Sequence, residues 1–193
     1  MNIWLITDTH FNHSKMTKLC GRPDDFTERI VDNCKAMIKP EDILIHLGDV
    51  TWTGMDELQQ IPASRKILVK GNHDKRSYSW YMSHGFDFAC EQFIWKTGGL
   101  NIVFSHKPLI FHEYDVNIHG HLHDLSTSDS GDYHYALAME HEYKPIKLSD
   151  ILPRIRKEVE RRGKEELLYQ QSEYEIWGEE YDEIKGITHE GVY

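Results

Sequence analysis

Residues 67–74 read Ile-Leu-Val-Lys-Gly-Asn-His-Asp. An apolar run ends in a glycine, an amide, an imidazole and a carboxylate. Lys66 to Val69 has the β-branched, apolar character of a buried strand. Gly71 permits a sharp turn, and Asn and Asp are ordinary turn residues. Alone, the tetrapeptide Gly71-Asn72-His73-Asp74 reads equally well as a plain turn. The pattern recurs, however. Ile3 to Thr7 is a predicted strand that runs into Asp8-Thr9-His10. Ile43 to Leu47 runs into Gly48-Asp49. The strand at 101–104 runs into Ser105-His106, and Val116 to Ile118 runs into His119-Gly120-His121-Leu122-His123. Carboxylates and imidazoles therefore collect at strand C-terminal ends, the edge where α/β sheets bind ligands.

Between these strands the spacing predicts helices. A short one falls at 14–20. Over 26–38, Phe26, Ile30, Cys34, Met37 and Ile38 form one apolar stripe, with Asp24 and Asp25 at its start and Pro40 beyond its end. Further helices are expected at 54–61 and 75–83. The run 86–96 and the strand after it flank Gly98-Gly99, a hairpin turn, and Tyr133 to Met139 reads as another strand. Residues 149–168 form an amphipathic helix, with Ser149 as N-cap and Pro153 in the first turn. A βαβα first half and a mostly β second half imply two sheets packed face to face with helices outside. The boundaries read as a domain over 1–168 and an acidic, aromatic tail over 169–193, whose Tyr174, Trp177, Tyr181 and Tyr193 suit packing, over the site or in a homodimer contact.

The chain has 193 residues, 39% hydrophobic and 28% charged, with a formal net charge of −10. That size suits one domain with a real core. The acidic balance argues against a partner as long as a nucleic-acid backbone, which calls for a basic stripe. Cys20, Cys34 and Cys90 fit no zinc spacing and read as reduced thiols. No run reaches membrane-spanning length, and the N-terminus lacks the basic region of a signal peptide. The expectation is a cytoplasmic protein with no membrane partner.

Imidazole suits zinc, iron and nickel, whereas carboxylate and amide oxygen suit harder ions such as Mn²⁺. Asp-x-His and His-x-His put alternate side chains on one side of an extended segment, so both members can reach one cluster. The ordered set DTH, GD, GNHD, SH and GHLH over residues 8–123 resembles the calcineurin-like metallophosphoesterase superfamily. The stretches DTHFNHSKMTKLCGRP and ILIHLGDV are similar to a small prokaryotic and phage-type branch of it.

That resemblance implies a four-layer αββα sandwich of two mixed sheets flanked by helices. It implies two divalent metal ions, Mn²⁺ foremost, with Fe, Zn or Ni as alternatives. Carried over by position, Asp8, His10 and His123 resemble the ligands of a first metal, and Asn72, His106 and His121 those of a second. Asp49 resembles the bridging carboxylate. His73 resembles a catalytic histidine that binds no metal and assists the leaving group. The implied activity is hydrolysis of a small phosphorylated substrate, a nucleotide-like phosphodiester or a phosphomonoester, by metal-activated hydroxide.

The resemblance has gaps. The superfamily's protein phosphatases follow the bridging aspartate with an Asp-Arg-Gly set, whereas Asp49 here is followed by Val50, Thr51, Trp52, Thr53 and Gly54. Trp52 stands where a histidine-orienting aspartate would be. Asp74 could take over that role. Arg22 and Arg76 are candidates to grip phosphate, since guanidinium binds its oxygens bidentately; the plainer reading of both is a surface salt bridge. His46 lies inside a strand and reads as a core histidine, His119 as packed or as supporting a ligand. His13 has no assigned role but adjoins the first motif. Rival classes are a metal-dependent nuclease, a non-catalytic scaffold on the same fold, and an oxidoreductase with a His/carboxylate iron site.

Overall fold

Two sheets carry the fold in the computed structural model, which describes residues 1–110, 114–123 and 133–173. In the first sheet, β1 (Ile3–Ile6), β2 (Ile43–His46), β3 (Arg65–Val69) and β4 (Phe88–Cys90) run parallel in the order β4-β3-β2-β1. Leu5, Ile6, Leu44, Ile45, Leu68 and Val69 are almost wholly buried, as expected of parallel strands covered on both faces. Their register is level: Ile6 pairs with His46, and His46 with Leu68. The chain therefore leaves all three strands at one height, and the polar segments after them converge.

The helices α1 (Met16–Leu19), α2 (Phe26–Met37), α3 (Asp56–Gln59) and α4 (Tyr78–Ser83) fall in the connections between these parallel strands. On α2 the buried stripe is Phe26, Thr27, Ile30, Val31 and Cys34. Asp25 occupies the capping position without bonding the helix N–H groups, and its carboxylate pairs with Arg29 instead.

The second sheet is β5 (Gln92–Thr97), β6 (Leu100–Ser105), β7 (Val116–His119) and β8 (His134–Ala136), in that order. β5 and β6 are the antiparallel arms of the expected hairpin, and Gly98 and Gly99 both take positive φ, 58° and 80°. The pairs β6–β7 and β7–β8 are parallel. The second sheet is thus mixed, and the first becomes so through a short antiparallel strand beside β1; with helices in the connections this is the α/β architecture expected from the sequence.

The structure corrects several element boundaries. The run 86–96 is not one strand: Glu91 separates β4 in the first sheet from β5 in the second. Tyr133 to Met139 shortens to β8, followed by a 3₁₀ turn at Met139–His141. A two-residue strand, β9 (Ile146–Lys147), pairs antiparallel with β1. Helix α5 (Leu148–Glu173) begins before Ser149, which therefore is not its N-cap, and Pro153 lies inside it. The Ser149 hydroxyl bonds Asp150 instead.

The chain divides into two compact units, Met1–Ile155 and Arg156–Tyr193. Both sheets belong to the first, and its core gathers Phe11, Met16, Phe26, Ile30, Leu44, Leu58, Leu68 and Phe86. In the second, Arg161 pairs along its helix with Glu158 and Glu165. The aromatic tail residues Tyr174, Trp177, Tyr181 and Tyr193 lie outside the described residues. All three cysteines are free; Cys34 is buried, and Cys20 and Cys90 are half-buried. Among the described residues no helix is long and apolar enough to cross a membrane.

Candidate metal centre

The segments after β1, β2, β3, β6 and β7 close on one another, stitched mainly by backbone bonds. Asp8 N donates to the Gly48 carbonyl and His10 N to the Asp49 carbonyl. His121 N donates to Asp8 Oδ2 at 2.8 Å and His73 N to Asp49 Oδ1 at 2.8 Å. Asp8, His10, Asp49 and His121 all have positive φ, between 44° and 69°. Such backbone costs roughly 1–3 kcal/mol per residue and gathers at functional sites.

Three glycines explain how the segments come so close. A Cβ on Gly120 would lie 1.8 Å from Thr7 Oγ1 and 2.4 Å from Asp8 Oδ2. One on Gly71 would lie 2.1 Å from Asp49 Oδ1, and one on Gly48 would lie 2.5 Å from Gly71 N. Gly71 is absent from the positive-φ residues, so its role is close approach rather than an unusual turn.

The side chains then present lone pairs to one another. His106 Nδ1 donates to the Leu47 carbonyl at 2.7 Å, which leaves Nε2 as an acceptor. That Nε2 faces Asn72 Oδ1 at 2.9 Å and Asp49 Oδ2 at 3.5 Å. His121 packs its ring edge-on to His106, centroids 5.0 Å apart. Across the centre, His10 Nε2 lies 3.7 Å from the same Asp49 Oδ2 and 4.0 Å from Asp8 Oδ1. His123 Nε2 lies 3.7 Å from Asp8 Oδ1. Asp8 Oδ1 is buried and has no hydrogen-bond partner among the described residues.

Donor atoms of Asp8, His10 and His123 lie within 4.8 Å of one another, as do those of Asp8, Asp49 and His106. Buried carboxylate oxygens facing imidazole lone pairs are repulsive until positive charge sits between them. The titration shifts follow the same geometry. Burial pushes Asp8 upward. Burial first, then His123 and Arg22, push His10 down to about 2, so its ring is neutral and free to ligate. Burial depresses His123, but Glu140 and Asp8 outweigh it and raise the group. The donor set therefore fits divalent cations.

Two residues support this centre from beneath. Glu140, from the 3₁₀ turn, accepts through Oε1 from His123 Nδ1 at 2.8 Å and from Arg22 Nε at 2.9 Å and Nη2 at 2.6 Å. Its carboxylate holds the His123 ring so that Nε2 turns inward, as partners of metal-ligating histidines do. Cys20, His123 and Glu140 also come within 4.8 Å, but Glu140 Oε1 is taken up by Arg22. The half-buried Cys20 thiol is pushed up by burial, away from the thiolate a metal needs.

Arg22 is buried and donates to the carbonyls of Thr9 and Asp8. It is neither a surface ion pair nor a phosphate grip. Arg76 is exposed and lies over the Trp80 ring of α4, 5.5 Å from its centroid. Asp74 does not orient His73: its carboxylate accepts from the N–H groups of Asp49, Val50 and Gly71 and pins that loop. His46 is a core histidine as expected. Gly48 N donates to its Nδ1, so Nε2 carries the proton toward Thr9 Oγ1.

His119 is buried, bonded through Nδ1 to the Gly120 carbonyl, with its Nε2 unpartnered among the described residues. His73 is exposed, its ring 5.5 Å from that of His10. His13 is buried and stacks on Trp52. A cleft of about 260 Å³ opens beside Asn72 and His106, where Lys70 and Lys107 supply positive charge.

Comparison with known proteins bears on the family and the fold. The family model for calcineurin-like phosphoesterases matches residues 1–185. An uncharacterized protein of Methanocaldococcus jannaschii is 28% identical over 135 residues, covering 63% of this chain and 69% of its own. The crystal structure of a protein of unknown function from Aquifex aeolicus superposes with a TM-score of 0.67 at 32% identity, covering 78% of this chain and 97% of that one.

Proposed function

The chain belongs to the calcineurin-like phosphoesterase family, and from that premise we propose that it hydrolyses a small nucleotide-like phosphodiester at a two-cation centre. The observation that carries this reading is the double approach to Asp49. One oxygen, Oδ2, faces His10 at 3.7 Å and His106 at 3.5 Å, as a carboxylate shared between two cation sites would. Asp8, His10 and His123 would hold one ion, and Asn72, His106 and His121 the other. The mixture of amide, carboxylate and imidazole donors suits Mn²⁺, with Fe, Zn or Ni as alternatives.

Bound divalent cations supply Lewis-acid charge and lower the pKa of a coordinated water toward ~7. The chain's own residues do the rest. Asp49 and Asn72 fix the donor spacing, and Asp74 ties together the two segments that carry them. His73 is held by its backbone N–H on Asp49 Oδ1 while its ring stays open to solvent. An imidazole so held and exposed would donate a proton to the leaving oxygen. Lys70 and Lys107 line the adjoining cleft and would draw the substrate's phosphate. The net charge of −10 favours a small substrate over a long nucleic acid.

The test compares a chromogenic phosphodiester with the matching monoester, using metal-stripped protein reloaded with Mn²⁺. Diester cleavage that disappears in Asp49→Asn supports the reading. His73→Ala should retain both metals and lose rate most on poor leaving groups. Equal metal loss in both variants refutes the separation of roles, and two bound metals with no hydrolysis point to a scaffold.

A further inference from the structure

We propose that Trp52 is a stacking platform for the base of a nucleotide substrate, set beside the leaving-group histidine. Trp52 follows Asp49 by three residues and is 54% exposed, a large apolar ring left in water next to a polar centre. Its orientation is fixed. Its backbone N–H donates to the Phe11 carbonyl, and Phe11 and Thr51 form a parallel bridge that ties the segment after β2 to that after β1. One indole face lies on His13, centroids 3.9 Å apart and planes within 5°. His13 is itself anchored, its N–H donating to the His10 carbonyl. Its Nδ1 is buried without a hydrogen-bond partner among the described residues, so the ring is held by the stack rather than by a polar contact.

The platform lies beside the chemistry. The Trp52 ring lies 6.0 Å from that of His73, and His73 lies 5.5 Å from His10. A ring stacked there sits beside His73, whose own ring adjoins that of His10. The neighbourhood also selects the kind of ring. Cations at Asp8 and Asp49 would repel a positively charged group, whereas a neutral heteroaromatic ring stacks on indole without that penalty. A preordered platform spares the cost of fixing the ring at binding. This inference rests on the phosphoesterase reading for the position of the phosphate, but it is measured separately.

Base–aromatic stacking corresponds to about tenfold or more in affinity per base. The experiment titrates Mn²⁺-loaded protein with adenosine 5′-monophosphate and with ribose 5-phosphate by calorimetry, since the pair differ only in the base. Wild type should bind the nucleotide about tenfold more tightly. Trp52→Ala should remove that preference and leave ribose 5-phosphate within about twofold. Trp52→Phe should keep most of it. Equal affinity for both ligands in wild type, or equal losses for both in Trp52→Ala, overturns the platform. A base preference that Trp52→Ala abolishes, in a protein that cleaves no ester, keeps the platform and refutes the phosphoesterase. Ester cleavage without a base preference does the reverse.

Discussion

Replacing Glu140 by glutamine separates two roles that the structure joins on one oxygen. Glu140 Oε1 accepts from both Arg22 and His123, while Oε2 is buried and unpartnered among the described residues. Glutamine keeps the shape and removes the charge. The Arg22 side chain is fully buried and loses its counter-ion, keeping only neutral acceptors: the Thr9 and Asp8 carbonyls and the glutamine oxygen. Removing one member of a buried pair costs about 3–5 kcal/mol. At 2–4 °C per kcal/mol for a chain of this size, metal-free melting should fall by about 6–20 °C.

The second effect concerns the metal. Loss of a partner that orients a ligand costs about 10–100-fold in metal affinity, or about 1.4–2.7 kcal/mol. At saturating metal, the stabilisation given by binding shrinks by the same amount. The rise in melting temperature on adding Mn²⁺ to stripped protein should therefore be smaller than in wild type by about 3–11 °C. Thermal melts with chelator and with Mn²⁺ read both effects. An undiminished Mn²⁺ increment, with lowered metal-free stability, would refute the orientation of His123 and leave Glu140 only as the counter-ion of Arg22.

Two further substitutions test the scaffold. Gly120→Ala drives a Cβ into Thr7 and Asp8, so it should destabilise by about 1–3 kcal/mol and abolish the Mn²⁺ increment. Gly163→Ala, in a helix with nothing within 4 Å of the new Cβ, should stabilise by about 0.5–1 kcal/mol. Thermal melts of both variants check this contrast, and a Gly120→Ala protein with normal metal response would disprove the crowding. Asp42 is buried, and though burial raises its pKa, N–H donors from Trp4, Asn2 and Lys39 outweigh that and hold it low. A depressed carboxyl stabilises above its unfolded pKa near ~3.9 and loses that contribution as pH falls below it. Asp42→Asn should cost about 2 kcal/mol at neutral pH, and urea melts should show the gap from wild type closing below about pH 4; a gap independent of pH would refute the assignment.

The sheet edge was legible in the sequence because strands and ligands follow one another within a few residues. Ile3 to His10 holds a strand and two candidate ligands, and the parallel pairing of β1, β2 and β3 levels their ends. The hairpin at Gly98-Gly99 was legible for a similar local reason. Glu91 was not: no local property of 86–96 records that the chain leaves one sheet there and enters another. Arg22 and Glu140 form a contact across 118 positions of sequence, so neither carries a mark of the other, and Arg22 resembles a surface cation until its burial is seen. Asp74 failed for geometry, since its neighbour's ring was out of reach while three backbone N–H groups were in reach.

The split at Glu91 has a consequence for how the molecule assembles. Asp8, Asp49 and Asn72 follow strands of one sheet, and His106, His121 and His123 follow strands of the other. The two sheets share no ladder. The bond from His121 to Asp8 joins positions 113 apart in the chain, a contact that local folding cannot supply early. An ion bound among these side chains would rivet two halves that otherwise meet late. Metal supply would then govern not only turnover but also how fast, and how completely, a newly made chain closes.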